Sequence, residues 1–531
     1  MHITPHLEQT FLDAVQRRIE TRIVPVMEAI YREPLRDVPG PFTPDAVLPS
    51  AIFPDLKPIE RVVCYFDYGA TGISVVAPLA AAGDERAAAL VRTVLANATY
   101  YARQIHGKYR WQGESVWETP LRRLLAHLGL AWPSLEAMLP DDELAAVREL
   151  ITTQVKAAIA HNSHFWPGIS DELFLMANNH TAIFAQGIWL CGHALHRPDW
   201  VDLIADFAQR YLEAMHPDGY FDENAQPERL GGPSMVYTPL TAGSLYDILD
   251  GRHRRQPEFL QAGRFYRRFL TADDRLIPLA DERTNHTGPL GVYGLALHAL
   301  TPEGRGLLLD LLSREEYLAQ QNTEGLAVLH HEVDLMTTGP TATPENRQDG
   351  AVRITLPLGV LRRDGWTAGL CGVRATNHEC YPHSDYALDQ QSHVYLAHER
   401  LGILLPGTKG KNNPHLSTCR RGDDAYPIAT GALRTQPDRL SVTVHYRTFD
   451  VRITWEMDGA WARLRFESES PEEIVTTLPL TATAESCLRT EAPYAIEEVP
   501  GFSPYTAGNR TAPVRALEFV WRGRLEVGFE G

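Results

Sequence analysis

The hydrophobic pattern of this chain changes period once, and that change constrains the fold more than any single motif. Up to about residue 320, apolar residues recur at three- and four-residue spacing, as in 81–105, 141–161 and 200–215. Such spacing marks amphipathic helices. Segments rich in Pro, Gly and Asp, such as HPDGYFDENAQPERLGGP (216–233), separate them, and Asp141 after Pro140 reads as a helix N-cap. From about residue 325 the period becomes two. LSVTVHYRTFDVRITWEMDGAWARLRFES (440–468) alternates around a turn at Asp458-Gly459, and ALEFVWRGRLEVGF (516–529) reads as a second hairpin around Arg522-Gly523. The expected fold class is α+β multidomain. Paired helices forming an (α/α) toroid or solenoid occupy 1–325, and an antiparallel β-sandwich occupies 326–531. The join falls near 320–345, where TTGPTATPENRQDG supplies a loop. No exact sequence repeat accompanies the helices, so their pairing is read from their lengths alone.

At 531 residues the chain exceeds what one core serves, which agrees with more than one domain. Its formal charge of −17 gives no support for nucleic-acid or anionic-membrane partners, although a small basic cleft would still admit an anionic substrate. No stretch approaches the roughly 20 apolar residues expected of a membrane span. The N-terminal MHITPHLEQTFLDAVQRRIE reads as an amphipathic helix rather than a signal peptide. Six scattered cysteines without a CxxC pair fit reduced thiols. The expected location is cytoplasmic, or periplasmic if a leader has been removed, and a homo-oligomer remains open.

Several polar groups stand out against this background. ELFLMANNH (172–180) runs from an apolar stretch into Asn178, Asn179 and His180, after which an apolar helix resumes. Buried without partners, such groups cost roughly 1–3 kcal/mol each. Either the Asn residues cap a helix and the protein satisfies the histidine, or the trio faces a ligand. In GGPSMVYTPLTAGSLYDIL (231–249), Tyr237 lies near the start of a helix, and both it and Tyr246 also fit amphipathic core positions. Arg229 lies just upstream, where it pairs with an anion or with Glu228. The most polar stretch of the β half, 375–413, holds His378, His383, His393 and His398 with Tyr381, Asp385, Tyr386 and Asp389. Such a cluster serves a metal, a proton transfer or a solvated loop, and its spacing matches no compact zinc motif. Lys409 and Lys411 fall at its end, and Arg420 and Arg421 follow it. Asn285-His286 is a weaker candidate, and Trp111, Glu114, Trp117 and Glu118 of RWQGESVWE either line a carbohydrate-stacking wall or serve structure.

Taken in this order, the pieces resemble the heparinase II/III-like and alginate-lyase-like polysaccharide lyases, which join an (α/α) toroid to an antiparallel β-sandwich. Members carry an Asn-His pair on a toroid helix and a catalytic Tyr two helices later. Asn179-His180 and Tyr237 match that pattern, His180 and Tyr237 being 57 residues apart. A His-rich segment opening the β domain completes the family's site, and HSD (383–385) with QSHVYLAHERLGILLPG (391–407) resembles it. The resemblance implies Asn179, His180, Tyr237, His383 and Tyr381 as catalytic. Beside them, Arg229, Asn178, Trp111, Trp117, His378 and His393 are the expected substrate contacts. Some members hold a structural zinc through β-domain histidines and an aspartate. Where that aspartate often lies, this chain reads LLPG (404–407), so no cofactor is expected, and His383 would be the first zinc ligand to test.

The implied activity is β-elimination on a uronate-containing glycan, slightly more in keeping with exo-action on oligosaccharides. Asn179 and His180 would neutralise the uronate carboxylate as enolate charge builds on it. Tyr237 would remove the C5 proton, protonate the leaving oxygen, or do both. Its ordinary pKa near 10 calls for a nearby cation, Arg229 or a histidine. A glycoside hydrolase is the rival enzyme, with Asp218, Asp222, Glu223 and Glu172 as candidate carboxylates. A non-catalytic carbohydrate-binding protein is the reading from another class.

Overall fold

The computed structural model describes residues 5–31, 58–105, 121–161, 179–221, 233–235, 237–250, 257–280, 288–372, 390–391, 393–407, 409–410, 419–425, 428–499 and 514–531. Two compact units result: 1–215, 239–263 and 292–342 make one, and 216–238, 264–291 and 343–531 the other. The expected division at 325/326 falls inside the helix Thr323–Leu335, whose three- and four-residue apolar spacing runs on to the loop, and the first strand starts only at Gly350. Two stretches from the helical half also belong with the β unit, for polar reasons. Arg362 donates to the carbonyls of Arg268 and Leu270 (2.6 and 2.7 Å), and Arg267 pairs with Glu345 (2.6 Å).

The helices are α1 (Pro5–Ile30), α2 (Pro58–Val63), α3 (Ile73–Ala81), α4 (Glu85–Tyr100), α5 (Arg122–Met138), α6 (Asp141–His161), α7 (Asn179–Ala194), α8 (Pro198–Glu213), α9 (Tyr237–Ile248), α10 (Pro257–Arg268), α11 (Pro302–Ser313), α12 (Glu315–Ala319) and α13 (Thr323–Leu335). Asp141, read as a cap, is already the first helical residue of α6. Side chains cap others: Asp84 accepts from the N–H groups of Arg86 and Ala87 ahead of α4, and Asn322 accepts from that of Gly325 ahead of α13. Within the helical unit α3 packs on α5, α5 on α7 and α7 on α8, and the late helix α13 returns to lie against α1 and α3. The row of helices therefore bends back on its beginning, as a toroid requires. Helices α5 and α7 approach each other closely. A Cβ on Gly129 would stand 2.8 Å from the backbone and Cβ of Leu190, and one on Gly187 would stand 2.9 Å from the Leu125 Cβ. Only glycine lets the two helices meet so closely.

One expectation is corrected here. Arg61–Ala81 is long and apolar enough to cross a membrane, with a mean hydropathy of 1.3, yet 67% of it is buried inside the protein. Its apolar surface packs against other helices, and Asp67 within it accepts the N–H groups of Arg123 and Leu124 (2.7 and 2.8 Å), capping α5 from a distance.

The other unit is built on antiparallel sheets. Five strands (Gly350–Arg353, Leu358–Arg363, Trp366–Cys371, Val394–His398, Gly402–Leu405) follow one another in order. A second sheet runs Arg434–Gln436, Arg439–His445, Asp450–Asp458, Trp461–Glu467, Arg524–Glu530 and Leu488–Arg489, with Ala429–Thr430 attached. A third runs Tyr494–Val499, Val514–Trp521, Ile474–Leu480 and Cys419–Arg420. Strict burial alternation along Trp461–Glu467 confirms the two-residue period. The Trp455 indole N–H donates to the Gly369 carbonyl (3.1 Å), tying the second sheet to the first across the core. The first hairpin forms, but Asp458 pairs with Trp461, so Gly459 and Ala460 make its loop. The second expected hairpin does not form. Val514–Trp521 pairs with Ile474–Leu480 and Tyr494–Val499, whereas Arg524–Glu530 pairs with Trp461–Glu467 and Leu488–Arg489. The Arg522-Gly523 turn therefore carries the chain from one sheet to another.

Gly129→Ala is expected to lower the unfolding free energy by about 1–3 kcal/mol, because the obstructing atoms include Leu190 backbone. Denaturant titration followed by helical circular dichroism checks this, and an unchanged midpoint would show that α5 and α7 tolerate wider spacing.

Candidate functional site

Asn179 opens α7 with its side chain 3% exposed, and His180, next to it, is half-buried. The following residues, Thr181 to Ala185, are all buried, so α7 enters the core at once and His180 is the member of the pair that keeps surface. Tyr237 is the first residue of α9 and is half-buried. Ser234 caps that helix: its Oγ accepts the Tyr237 N–H (3.3 Å) and its carbonyl accepts the Thr238 N–H (3.0 Å). The Tyr237 backbone is thereby fixed at a helix start.

Deeper in the helical unit lies a polar ring that sequence reasoning did not single out. Asp247 of α9 receives two hydrogen bonds on one oxygen, Oδ2: from Gln186 Nε2 of α7 (2.9 Å) and from His331 Nε2 of α13 (2.9 Å). Ser244 Oγ, one turn before Asp247, donates to Gln186 Oε1 (3.2 Å). On the neighbouring helices, Ser74 Oγ of α3 lies 2.8 Å from His127 Nδ1 of α5. Burial pushes the His127 imidazole down to about 3, aided by the charges of His331 and Arg123. Burial pulls on His331 in the same sense, but the Asp247 carboxylate, by charge and by hydrogen bond, outweighs it and raises His331 above its ordinary value. Nearby, Arg123 stacks over the rings of Tyr68 and Tyr293 (5.3 and 4.5 Å) and pairs with Glu324 (3.3 Å), which also accepts the Tyr293 hydroxyl. Glu332 accepts the N–H groups of Gly294 and Ala296 (2.7 and 2.8 Å), and burial lifts its carboxyl to about 7. Gly294 is required there: its φ is +68°, and a Cβ would stand 2.5 Å from the Pro239 carbonyl oxygen.

In the β unit, His393 is not a substrate contact, because its side chain is 1% exposed. Its Nδ1–H donates to the Cys371 carbonyl (2.6 Å), locking it into the core where two strands meet, and burial pushes its pKa down to about 4. His398 is likewise core, edge-on to Trp366. Asp218, a carboxylate considered for hydrolysis, accepts the Thr355 N–H (2.8 Å), and its own N–H donates to His216 Nδ1 (3.1 Å), which engages it structurally. Asn178, Trp111, Trp117, Arg229, His378, Tyr381 and His383 lie outside the described residues, as do Glu114, Glu118, Glu172, Asp222, Glu223, Asn285 and His286. Among the described residues no group of three or more His, Cys, Asp or Glu is placed to hold a metal ion.

No family model matches the chain, and no curated protein matches it by sequence. Solved structures do match. A chondroitin AC lyase from Streptomyces coelicolor A3, in complex with chondroitin sulphate, matches with a TM-score of 0.54 at 14% identity, over 98% of this chain and 82% of that one. Heparinase III matches with a TM-score of 0.53 at 11% identity, over 87% of this chain and 76% of its own. The chain has a polysaccharide-lyase fold. At these identities the likeness speaks for the lyase fold and not for individual side chains. The polar ring, by contrast, comes from this chain's own residues. Its signal was present in the sequence: His127 in LLAHLGL, Asp247 in SLYDIL and His331 in AVLHHEV are polar groups set in apolar helices, the same oddity that drew notice to NNH.

The burial of His393 has a pH consequence. Its folded pKa of about 4 lies below its ordinary 6.5, so between those values the unfolded chain binds a proton that the folded one refuses. Stability is therefore lost as pH falls from 6.5 to 4. Glu332, raised to about 7, acts in the opposite direction between 7 and 4.5. The contribution of His393 is isolated by comparing the protein with its His393→Gln variant. The unfolding free-energy advantage of the parent is expected to shrink by roughly 3 kcal/mol between pH 7 and pH 4. Denaturant curves at both pH values measure it, and a constant difference would mean that His393 titrates normally.

Proposed function

We propose that the protein is a polysaccharide lyase that cleaves a uronate-containing oligo- or polysaccharide by β-elimination, leaving a 4,5-unsaturated sugar at the new non-reducing end. The observation that carries this reading is the lyase fold itself, matched over 98% of the chain by an enzyme solved with an acidic glycan. Two features of this chain support it. Asn179-His180 lies in the first described turn of one helix and Tyr237 in that of another, and His180 and Tyr237 both keep part of their surface. Of the carboxylates considered for a hydrolase, Asp218 is the one among the described residues, and it is engaged by the Thr355 N–H.

In this reading the His180 ring, with the Asn179 amide behind it, donates to the uronate carboxylate. That contact lowers the cost of the charge that grows there as the C5–H bond breaks. Tyr237, as tyrosinate, takes the C5 proton. The electron pair left on C5 becomes the C4–C5 double bond, and the C4–O bond breaks with its pair going to the leaving oxygen. That oxygen takes a proton, either from Tyr237 in a syn elimination or from a second acid, for which His383 and Tyr381 are the candidates. No water is consumed, which separates this chemistry from hydrolysis. Arg229 is the proposed cation that favours the tyrosinate, and Trp111, Trp117, Asn178 and His378 are proposed sugar contacts. Exo-action on oligosaccharides completes the proposal, and the reading needs no cofactor.

Incubation with alginate, glucuronan, heparinoid and rhamnose–glucuronate substrates should yield ultraviolet-absorbing unsaturated product from at least one of them. On that substrate Tyr237→Phe is expected to lower kcat by about 10²–10⁴-fold. His180→Ala is expected to lower kcat/KM by about 10²–10³-fold. Near-parental turnover by Tyr237→Phe overturns the base assignment. Reducing ends without unsaturation would favour the hydrolase instead.

A further inference from the structure

Five helices of the helical unit each present a polar group to the same interior: Ser74 from α3, His127 from α5, Gln186 from α7, Ser244 and Asp247 from α9, and His331 from α13. The elimination mechanism uses none of them. We propose that Asp247 is a positioning residue for the reaction, holding α7 in the rotation that presents His180 to the substrate carboxylate. The proposal rests on the lyase reading and adds to it the internal support of the Asn179-His180 pair.

The geometry of α7 leads to this. The apolar side of α7 meets α5 at Gly187 and Gly129, where Leu125 and Leu190 pack into the space that the glycines leave, and Cys191 Sγ donates to the Leu125 carbonyl (3.1 Å). These contacts hold α7 on one side only. A further directional bond fixes its rotation from the side of α9. Gln186 supplies that bond from two turns beyond Asn179 and on the same side of the helix. Both ends of its amide are engaged, Nε2 donating to Asp247 and Oε1 accepting from Ser244, so the amide has one orientation. Asp247 is in turn anchored by His331 from α13. Truncating the link would leave a buried carboxylate or amide short of a partner, which favours a shift of the helix that carries it. Displacements of about 1 Å at a reacting group are enough to cost roughly 10²-fold in rate.

The groups that act on this carboxylate and its imidazole partner are His127 from α5 and Glu332 and Asp334 from α13, while Arg123 and His330 act on His127. Asp247→Asn removes the charge that keeps His331 protonated above its ordinary range, so the His331 titration midpoint should fall. The variant should also lose kcat by roughly 10- to 100-fold with KM within about 2-fold, because substrate contacts outside α7 persist. Gln186→Met, which keeps side-chain length and breaks only the α7 link, should reproduce the kcat loss with His331 still titrating high. It decides the matter if Asp247→Asn does not fold. Histidine-ring NMR on both variants reads His180 directly, without turnover, and its resonances should move in each.

A folded Gln186→Met protein with parental kcat and unmoved His180 resonances overturns the positioning role. If the parent yields unsaturated product from no uronate, the lyase reading fails. In that case the His180 resonances still report whether Asp247 and Gln186 hold the start of α7. A kcat loss without any change at His180 also overturns the proposal, since the effect would then run by another route.

Discussion

A single carboxylate oxygen, Asp247 Oδ2, is where distant helices of the helical unit are tied to one another. Taking an unpaired carboxylate out of water would cost several kcal/mol, so this one is tolerable only because donors converge on it. Those donors come from α7 and α13, one in the middle of the chain's helical half and one at its end. The oxygen is satisfied only when the row of helices has bent back on itself. Hydrophobic burial makes the helices associate, but it is indifferent to which helix is next to which. A buried charge with two required partners is not.

The same logic explains which parts of the structure were legible in the sequence. Periodicity depends on neighbours within a few residues, so the helices and the alternating strands were readable. The Asp458–Trp461 hairpin closes locally and was found, with its loop one residue off. The second hairpin was misread because ALEFVWRGRLEVGF has everything a hairpin needs except the pairing, and pairing is decided by strands elsewhere. The boundary at 325 was drawn too early, because Thr323–Leu335 is helical to its end.

Among functional candidates, the distinction between a ligand-facing polar group and an internally satisfied one was not legible. His393 and His331 look alike in the sequence, each beside apolar residues. One is buried against the Cys371 carbonyl, and the other is drawn toward the charged form by Asp247. What separates them is the partner, and partners come from chain segments far away. His180 keeps part of its surface because it is one of the first residues of its helix, a fact that the abrupt start of the apolar run after NNH did announce.

The turn at Arg522-Gly523, which hands the chain from one sheet to another, bears on how the β unit is assembled over time. Val514–Trp521 lies between two strands of its sheet, and Arg524–Glu530 lies between two strands of the other. These two late strands are thus interior members of both layers. Until they are in place, Ile474–Leu480 and Trp461–Glu467 each present an unpaired edge, the kind of surface that recruits other chains. Neither layer can be finished early and kept while the other waits. The β unit of a growing chain is therefore committed to a joint closure, and its exposure to mispairing lasts until both Val514–Trp521 and Arg524–Glu530 have been made.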